Sequence, residues 1–335
     1  MQSLWNDKDA ALCSDPLALR VYTSRLLGRE SSLVLHGGGN TSLKATAKDV
    51  FGDAVETLYV KGSGWDLATI EAAGFAPVRM SALLRLAQLD ELSDTDMVRA
   101  QRIAMLDPSA PNPSVEAILH ALIPFAYVDH THTDAVVTIS NTPDGEARIH
   151  ELFGERVLVI PYVMPGFILA KTVRDLTRDV DWKELDGMVL MHHGLFTFAD
   201  DVKQSYEQMI ALVSKAEAYL ENHATYDLPA HDSQLDLISL ATLRREVSLL
   251  KGEPMLACLE DGVEAAGFAA HSAAQAVQRG TLTPDYVIRT KPAPLFVGND
   301  VEASVSAFAD AYRAYFAKHA DDTLTCLDAA PRWAV

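Results

Sequence analysis

His130-Thr131-His132 places two imidazoles two residues apart. On an extended strand such residues share a face, so both rings converge on one point, as a divalent cation requires. Zinc takes nitrogen donors at roughly 2.0–2.1 Å, and three protein ligands with one open position mark a catalytic site. By itself the pair is equally compatible with solvent-facing or hydrogen-bonded histidines. A further donor is offered by Met191-His192-His193-Gly194, which follows the apolar run Met188-Val189-Leu190. Only one of two adjacent histidines can face a given point, and the residue types leave open which. Glu116 precedes the histidine pair on a short helix, with His120 one helical turn further on the same face. A carboxylate beside a metal serves as a fourth ligand or as a general base.

Two glycine-rich stretches are a second kind of signal. In His36-Gly37-Gly38-Gly39-Asn40-Thr41-Ser42 and Lys61-Gly62-Ser63-Gly64, successive N–H groups can form an anion nest, although a tight hairpin turn has the same composition. Neither loop has the spacing of a Walker A or a GxGxxG motif, so no nucleotide cofactor is implied. No Gly-x-Ser-x-Gly elbow occurs, and no cysteine carries a catalytic signature. Lys44 and Lys61 are the candidates for an imine, with nothing nearby to favour that over an anion contact.

The elements that must position these residues alternate. Helical periodicity covers Asp15 to Leu27, Met80 to Leu92 and Val115 to Ile123, the last stopped by Pro124. Strand-like stretches are Ser31 to Leu35, the segment from Thr41, Leu58 to Val60, Val136 to Ser140, Val157 to Ile160, and two halves within Met188 to Phe198. The clearest helix runs from Val202 to Leu220, capped by Asp200 or Asp201. Thr225 to Ser233 is turn-like; helices are then expected over Leu235–Leu250, Val263–Gln278 and Val301–His319, with a strand-like insert Tyr286–Thr290. This divides the chain into an α/β catalytic body, 1–224, and a mostly helical C-terminal portion, 225–335, expected to pack on it.

The 335 residues carry a formal charge of −18 and are 49% hydrophobic, which fits a folded protein with a sizeable core. So acidic a chain disfavours nucleic acid and anionic lipid as partners. Three scattered cysteines point to a reducing compartment. With no leader-like start and no apolar run long enough to span a bilayer, a cytoplasmic protein is expected.

Together these residues resemble the class II aldolase/adducin family. The shared order is Gly39-Asn40, Ser63-Gly64, Ser114-Val115-Glu116, His130 with His132, and His193-Gly194. Over nearly the whole chain, Leu35 to Ser42, Pro113 to His120, Val128 to His132 and Thr283 to Lys291 are similar to the aldolase half of bifunctional rhamnulose-1-phosphate aldolase/lactaldehyde dehydrogenases. In those a short-chain dehydrogenase domain follows; none follows Pro331 here, so a stand-alone or truncated relative without dehydrogenase activity is expected. The resemblance implies a three-layer α/β/α fold with a mostly antiparallel central sheet. It implies His130, His132 and His193 as Zn2+ ligands and Glu116 as the acid/base. Gly39, Asn40, Ser63, Gly64 and Ser114 become phosphate-contacting candidates. It also implies a homotetramer. Val115 replaces a second serine of the fuculose-type enzymes, which weakens the inference of the same bound phosphate.

The implied reaction is retro-aldol cleavage of a ketose 1-phosphate, a small sugar phosphate, to dihydroxyacetone phosphate and an aldehyde. The cation would stabilise the ene-diolate and Glu116 would return its proton. A tyrosine is the expected second proton carrier, with Tyr127, Tyr162 and Tyr286 open. Asp129 and Asp134 are the carboxylates near enough to orient an imidazole, Asp134 on the histidine face of a regular strand. Alternatives are epimerisation, dehydration or decarboxylation at the same metal, a non-catalytic adducin-like scaffold, and a lysine-imine aldolase.

Overall fold

The structure, a computed structural model, describes residues 1–223, 236–321 and 324–335. It divides into two compact units, Met1–Ala224 with Leu282–Asp285, and Thr225–Thr281 with Tyr286–Val335. The first is built on a seven-stranded sheet of order β3-β2-β1-β4-β7-β6-β5. Its strands are β1 (Asn40–Lys48), β2 (Ala54–Lys61), β3 (Phe75–Arg79), β4 (Tyr127–Thr131), β5 (Val157–Ile160), β6 (Gly187–Leu190) and β7 (Gly194–Ala199). Only β5 and β6 pair in parallel; all other neighbours are antiparallel.

The helices of this unit are α1 (Asp7–Ala10), α2 (Pro16–Gly28), α3 (Met80–Leu86), α4 (Asp94–Ile103), α5 (Ala117–Leu122), α6 (Asp134–Ser140), α7 (Gly145–Phe153), α8 (Phe167–Leu176) and α9 (Val202–His223). One sheet face is covered by α2, α6, α7 and α9, whose Leu26, Ile139, Ile149 and Met209 share a core with Val189 and Leu195. The other is covered by α3, α5 and α8, where Leu83 and Ile118 meet Val60 and Val78, and Leu169 meets Val128, Phe196 and Phe198. Sheet and two helical layers give the α/β/α order. Helix starts follow local chemistry: Asp15 accepts the Ala18 N–H with Pro16 at the first helical position, and Asp201 accepts the Gln204 N–H at α9.

Three strand-like readings are helices or turns instead. Val136–Ser140 lies in α6, whose Ala135, Val136, Val137 and Ile139 are all buried, Ala135, Val136 and Ile139 in the core shared with α7 and α9. Burial on every side overrides the strand preference of a β-branched run. Tyr286–Thr290 lies in a helix, Pro284–Thr290, and the unused signal was a proline at the first helical position. Ser31–Leu35 is a turn held by Leu33 N and Val34 N on the Glu30 carbonyl. The helix expected to Leu92 ends at Leu86.

In the second unit, α10 (Leu237–Lys251) packs against α13 (Val301–His319), with α11 (Val263–Ala270) between them in sequence; α12 (Pro284–Thr290) has Pro284 and Asp285 in the first unit and its remaining residues in the second. Asp236 caps α10, and Gly252, with φ +81°, ends it. The turn-like Thr225–Ser233 lies outside the described residues. No helix among the described residues is long and apolar enough to cross a membrane, and Cys13, Cys258 and Cys326 are free.

One buried ion pair ties β4 to its covering helices. Arg20 of α2 donates to Asp129 Oδ1 at 2.5 Å, and Ser205 of α9 donates to Asp129 Oδ2 at 2.5 Å. Arg20 and Asp129 are both fully buried. Removing one partner leaves an uncompensated buried charge. Arg20→Met is therefore expected to lower unfolding free energy by about 3–5 kcal/mol, measured by denaturant titration; a loss under about 1 kcal/mol would refute this account of the pair.

Candidate metal centre

β4 alternates strictly. Asp129 and Thr131 face α2 and α9, where Thr131 Oγ1 contacts Met209 Sδ at 3.2 Å. His130 faces the other way and stacks on Phe196, ring centroids 4.0 Å apart. His132 lies just past the strand end. β6 and β7 form a hairpin whose turn spans Met191–His193, with Leu190 paired to Gly194. His192 adopts φ +58° there and turns outward, its Nδ1 bonded to Asn141. His193 is thereby aimed inward, so the structure selects 193 over 192. A Cβ on Gly194 would lie 2.3 Å from the Thr131 carbonyl oxygen, so glycine is what lets β7 close on β4.

The three rings meet, with centroids 4.8 to 5.0 Å apart. One nitrogen from each of His130, His132 and His193 lies within 4.8 Å of the others. His130 Nδ1 is 3.1 Å from the Leu195 carbonyl, to which it donates, leaving the Nε2 lone pair free. That Nε2 is buried and has no partner. His132 Nε2 and His193 Nε2 stand 3.2 Å apart. Burial holds the His193 imidazolium form down to a pKa of about 4, and burial with the neighbouring rings lowers His130 well below the usual range. Imidazole nitrogens gathered at one point are what a divalent cation binds, each through a lone pair.

Glu116 immediately precedes α5. Its carboxylate lies 3.5 Å from His130 Nε2 and 3.6 Å from His193 Nε2. Oε2 accepts from Asn40 Nδ2 at 2.6 Å, whereas buried Oε1 has no partner. Asn40 Oδ1 in turn accepts from His120 Nε2, and His120 Nδ1 accepts from Ser42 Oγ at 2.8 Å. Full burial keeps His120 neutral, its pKa well below the ordinary value, which fits this direction of donors. The chain Ser42–His120–Asn40–Glu116 pins one carboxylate oxygen and leaves the other beside the imidazoles.

The expected site residues are thus gathered in unequal ways. Gly39, with φ +55°, stands where a Cβ would meet the His130 carbonyl at 2.7 Å. Asn40 is committed at both ends of its amide. Ser114 N bonds the Lys61 carbonyl and Ser63 N the Asn112 carbonyl, so the Ser63-Gly64 loop runs beside the Ser114–Glu116 turn. Lys61 Nζ donates to the Gly37 carbonyl at 2.6 Å and links the two glycine-rich loops; burial lowers its pKa to about 8. Lys44, lowered by burial to about 7, donates to the Ile123 and Phe125 carbonyls. It thereby fixes the short connection that carries the chain from α5 into β4.

Residues 18–220 match the family described as class II aldolase and adducin N-terminal domain, and residues 235–335 match aldolase class II, second domain. The chain belongs to the class II aldolase and adducin family. A Bacillus subtilis (strain 168) protein named uncharacterized oxidoreductase YuxG is 29% identical over 356 residues, covering 99% of this chain and 51% of its own length. The chain thus spans about half of that curated relative. The N-terminal class II aldolase domain of a conserved Thermoplasma acidophilum protein is 41% identical, with TM-score 0.60 over 66% of this chain and 99% of its own. An L-fuculose-1-phosphate aldolase from Thermus thermophilus is 16% identical, with TM-score 0.39 over 61% of this chain and 95% of its own, too remote to bear on chemistry.

Within this family member two residues escape the sequence reading. Asp285, in the quoted stretch Thr283 to Lys291, sits on His132: its Oδ1 is 2.6 Å from Nδ1. Asp134 does not reach that ring; it opens α6, and burial followed by Asp285 raises its pKa to about 6. The other was Lys61 as a loop link. Tyr127 shares the face of Asp129 and points away from the histidines, with Arg20 5.9 Å from its ring. Tyr162 is exposed, its ring 5.9 Å from that of His192.

The buried imidazoles set a pH dependence. In the unfolded chain they protonate near pH 6.5, in the folded one only well below it, near 4 for His193. The unfolded state then binds more protons, so stability falls as pH drops from 6.5 toward 4 and is fully present above. Metal-free protein is expected to lose on the order of 1 kcal/mol per pH unit for each such histidine in that window, by urea unfolding at pH 7, 6 and 5. A flat profile would contradict the burial argument.

Proposed function

We propose that the chain is a zinc-dependent aldolase that reversibly cleaves a ketose 1-phosphate, rhamnulose-1-phosphate-like, to dihydroxyacetone phosphate and an aldehyde. The observation that carries this reading is the convergence of three imidazoles on one point beside a carboxylate with one oxygen pinned and one free. His130, His132 and His193 would hold the cation. Bound there, it would supply Lewis-acid stabilisation of the charge that carbon–carbon cleavage leaves next to a carbonyl. In cleavage the hydroxyl that becomes the aldehyde would give up its proton and Glu116, once protonated, would deliver one from Oε1 to that carbon, the reverse holding in condensation. The Ser42–His120–Asn40 chain would keep Oε2 occupied, so that Oε1 alone moves the proton. Gly39, Ser63, Gly64 and Ser114 would bind and orient the phosphate end, with Lys61 keeping the loops in register.

A lysine imine is disfavoured, since Lys44 and Lys61 both spend their ammonium groups on backbone carbonyls. A decayed scaffold is disfavoured by the intact donor set. Such a substrate places the reaction in the cytoplasm, and assembly as a homotetramer follows the family resemblance. Epimerisation, dehydration or decarboxylation at the same residues is separated by product.

Purified protein should carry zinc by elemental analysis and release aldehyde from ketose 1-phosphates. Chelation should abolish release and added zinc restore it. Glu116→Gln should lower kcat ~10²–10⁴-fold while retaining zinc. Cleavage that ignores chelation, or isomerised product without aldehyde, would overturn the assignment.

A further inference from the structure

Asp285 belongs by sequence to the 235–335 stretch matched to the second-domain family, yet Leu282–Asp285 is part of the first compact unit. Its carboxylate is buried, 3% exposed, and both oxygens are used. Oδ1 lies 2.6 Å from His132 Nδ1, and Oδ2 accepts the Leu35 N–H at 2.9 Å. Gly38 makes room for it: a Cβ there would lie 1.6 Å from Oδ1. No described residue between 40 and 223 supplies a carboxylate hydrogen bond to that ring.

A neutral imidazole carries one proton and one lone pair, and the partner of one nitrogen decides which the other nitrogen bears. A carboxylate only accepts, so it requires the proton on Nδ1 and leaves the lone pair on Nε2. Nε2 is the atom facing His193. His130 reaches the same state through the Leu195 carbonyl. We propose that Asp285 is the positioning residue of the metal centre, setting the tautomer and orientation of His132, so that the Thr283-Pro284-Asp285 segment of the second-domain sequence completes the site. The role deepens the metal reading proposed above and rests on it. The same carboxylate holds Leu35, which anchors the approach to the Gly37–Gly39 loop, so one residue serves the ligand and the loop together.

Asp285→Asn is the discriminating variant. Its amide oxygen still accepts from Leu35, so the loop anchor and the packed volume persist. Its NH2 group then faces His132 Nδ1 and forces the proton to Nε2, the metal-facing atom. Zinc affinity, measured by competition with a chromogenic chelator, is expected to fall ~10–100-fold. Urea unfolding of the metal-free variant should stay close to that of the parent chain. Long-range 1H–15N NMR of the metal-free proteins should show His132 protonated at Nδ1 in the parent and at Nε2 in the variant. Asp285→Glu, still an acceptor, should recover part of the affinity. Unchanged zinc affinity in the asparagine variant, or an Nε2-protonated His132 in the parent chain, would overturn the proposal. The parent spectrum decides even should the variant not fold. Failure of the parent to bind zinc would instead defeat the function proposed above, while leaving the tautomer assignment open to the same spectrum.

Discussion

Antiparallel pairing of β4 with β7 brings together two histidine-bearing stretches that are remote in the chain. His130 stands opposite Phe196 and Thr131 opposite Leu195. That register lets the Met191–His193 turn carry His193 back over the end of β4. A slip of one residue would send His130 to the α2 and α9 face and Asp129 into the site, because side chains alternate with period two. The buried Arg20–Asp129 pair makes that slip doubly unfavourable, since it would separate the two charges and leave Arg20 buried without its partner. Register, ion pair and histidine cluster are therefore one constraint seen from two sides of a sheet.

The site contains a second ordered system beside the three histidines. Ser42 and Asn40 come from β1, His120 and Glu116 from the α5 turn, and the four are joined by hydrogen bonds that run in one direction. β1 is hydrogen-bonded to β4, with Asn40 opposite His130, so the carboxylate and the imidazoles are referenced to the same strand pair. A polar network joined in this way is rigid, and it leaves one oxygen of Glu116 outside it. The lysines act similarly in their own places: half-buried Lys44 and buried Lys61 fasten backbone carbonyls.

The glycines divide by physical role. Gly194 and Gly38 are needed because a backbone or carboxylate occupies the space of a Cβ, whereas Gly39 combines close approach with φ +55°. A glycine-rich loop read as an anion nest thus serves at least partly to admit Asp285 and the His130 carbonyl.

Much of the site was legible in the sequence by itself, because local spacing determines it. His130, Glu116 and the turn before Gly194 are set by strand alternation, a helix start and a hairpin, each decided by neighbours in the chain. So were β2, β5, α2, α9 and α13, whose periodicity and caps agree with their burial. Tertiary structure alone decided the rest. It supplied the reason for His193, which the residue types left open against His192 and only the resemblance named: a positive φ at 192 turns the two rings apart. It made a helix of Val136–Ser140, because a segment buried on all sides has no solvent face to reveal its period. It committed Asn40 to Glu116 and brought Asp285 to His132, because hydrogen bonds between residues 76 and 153 positions apart follow from packing and leave no trace in local spacing.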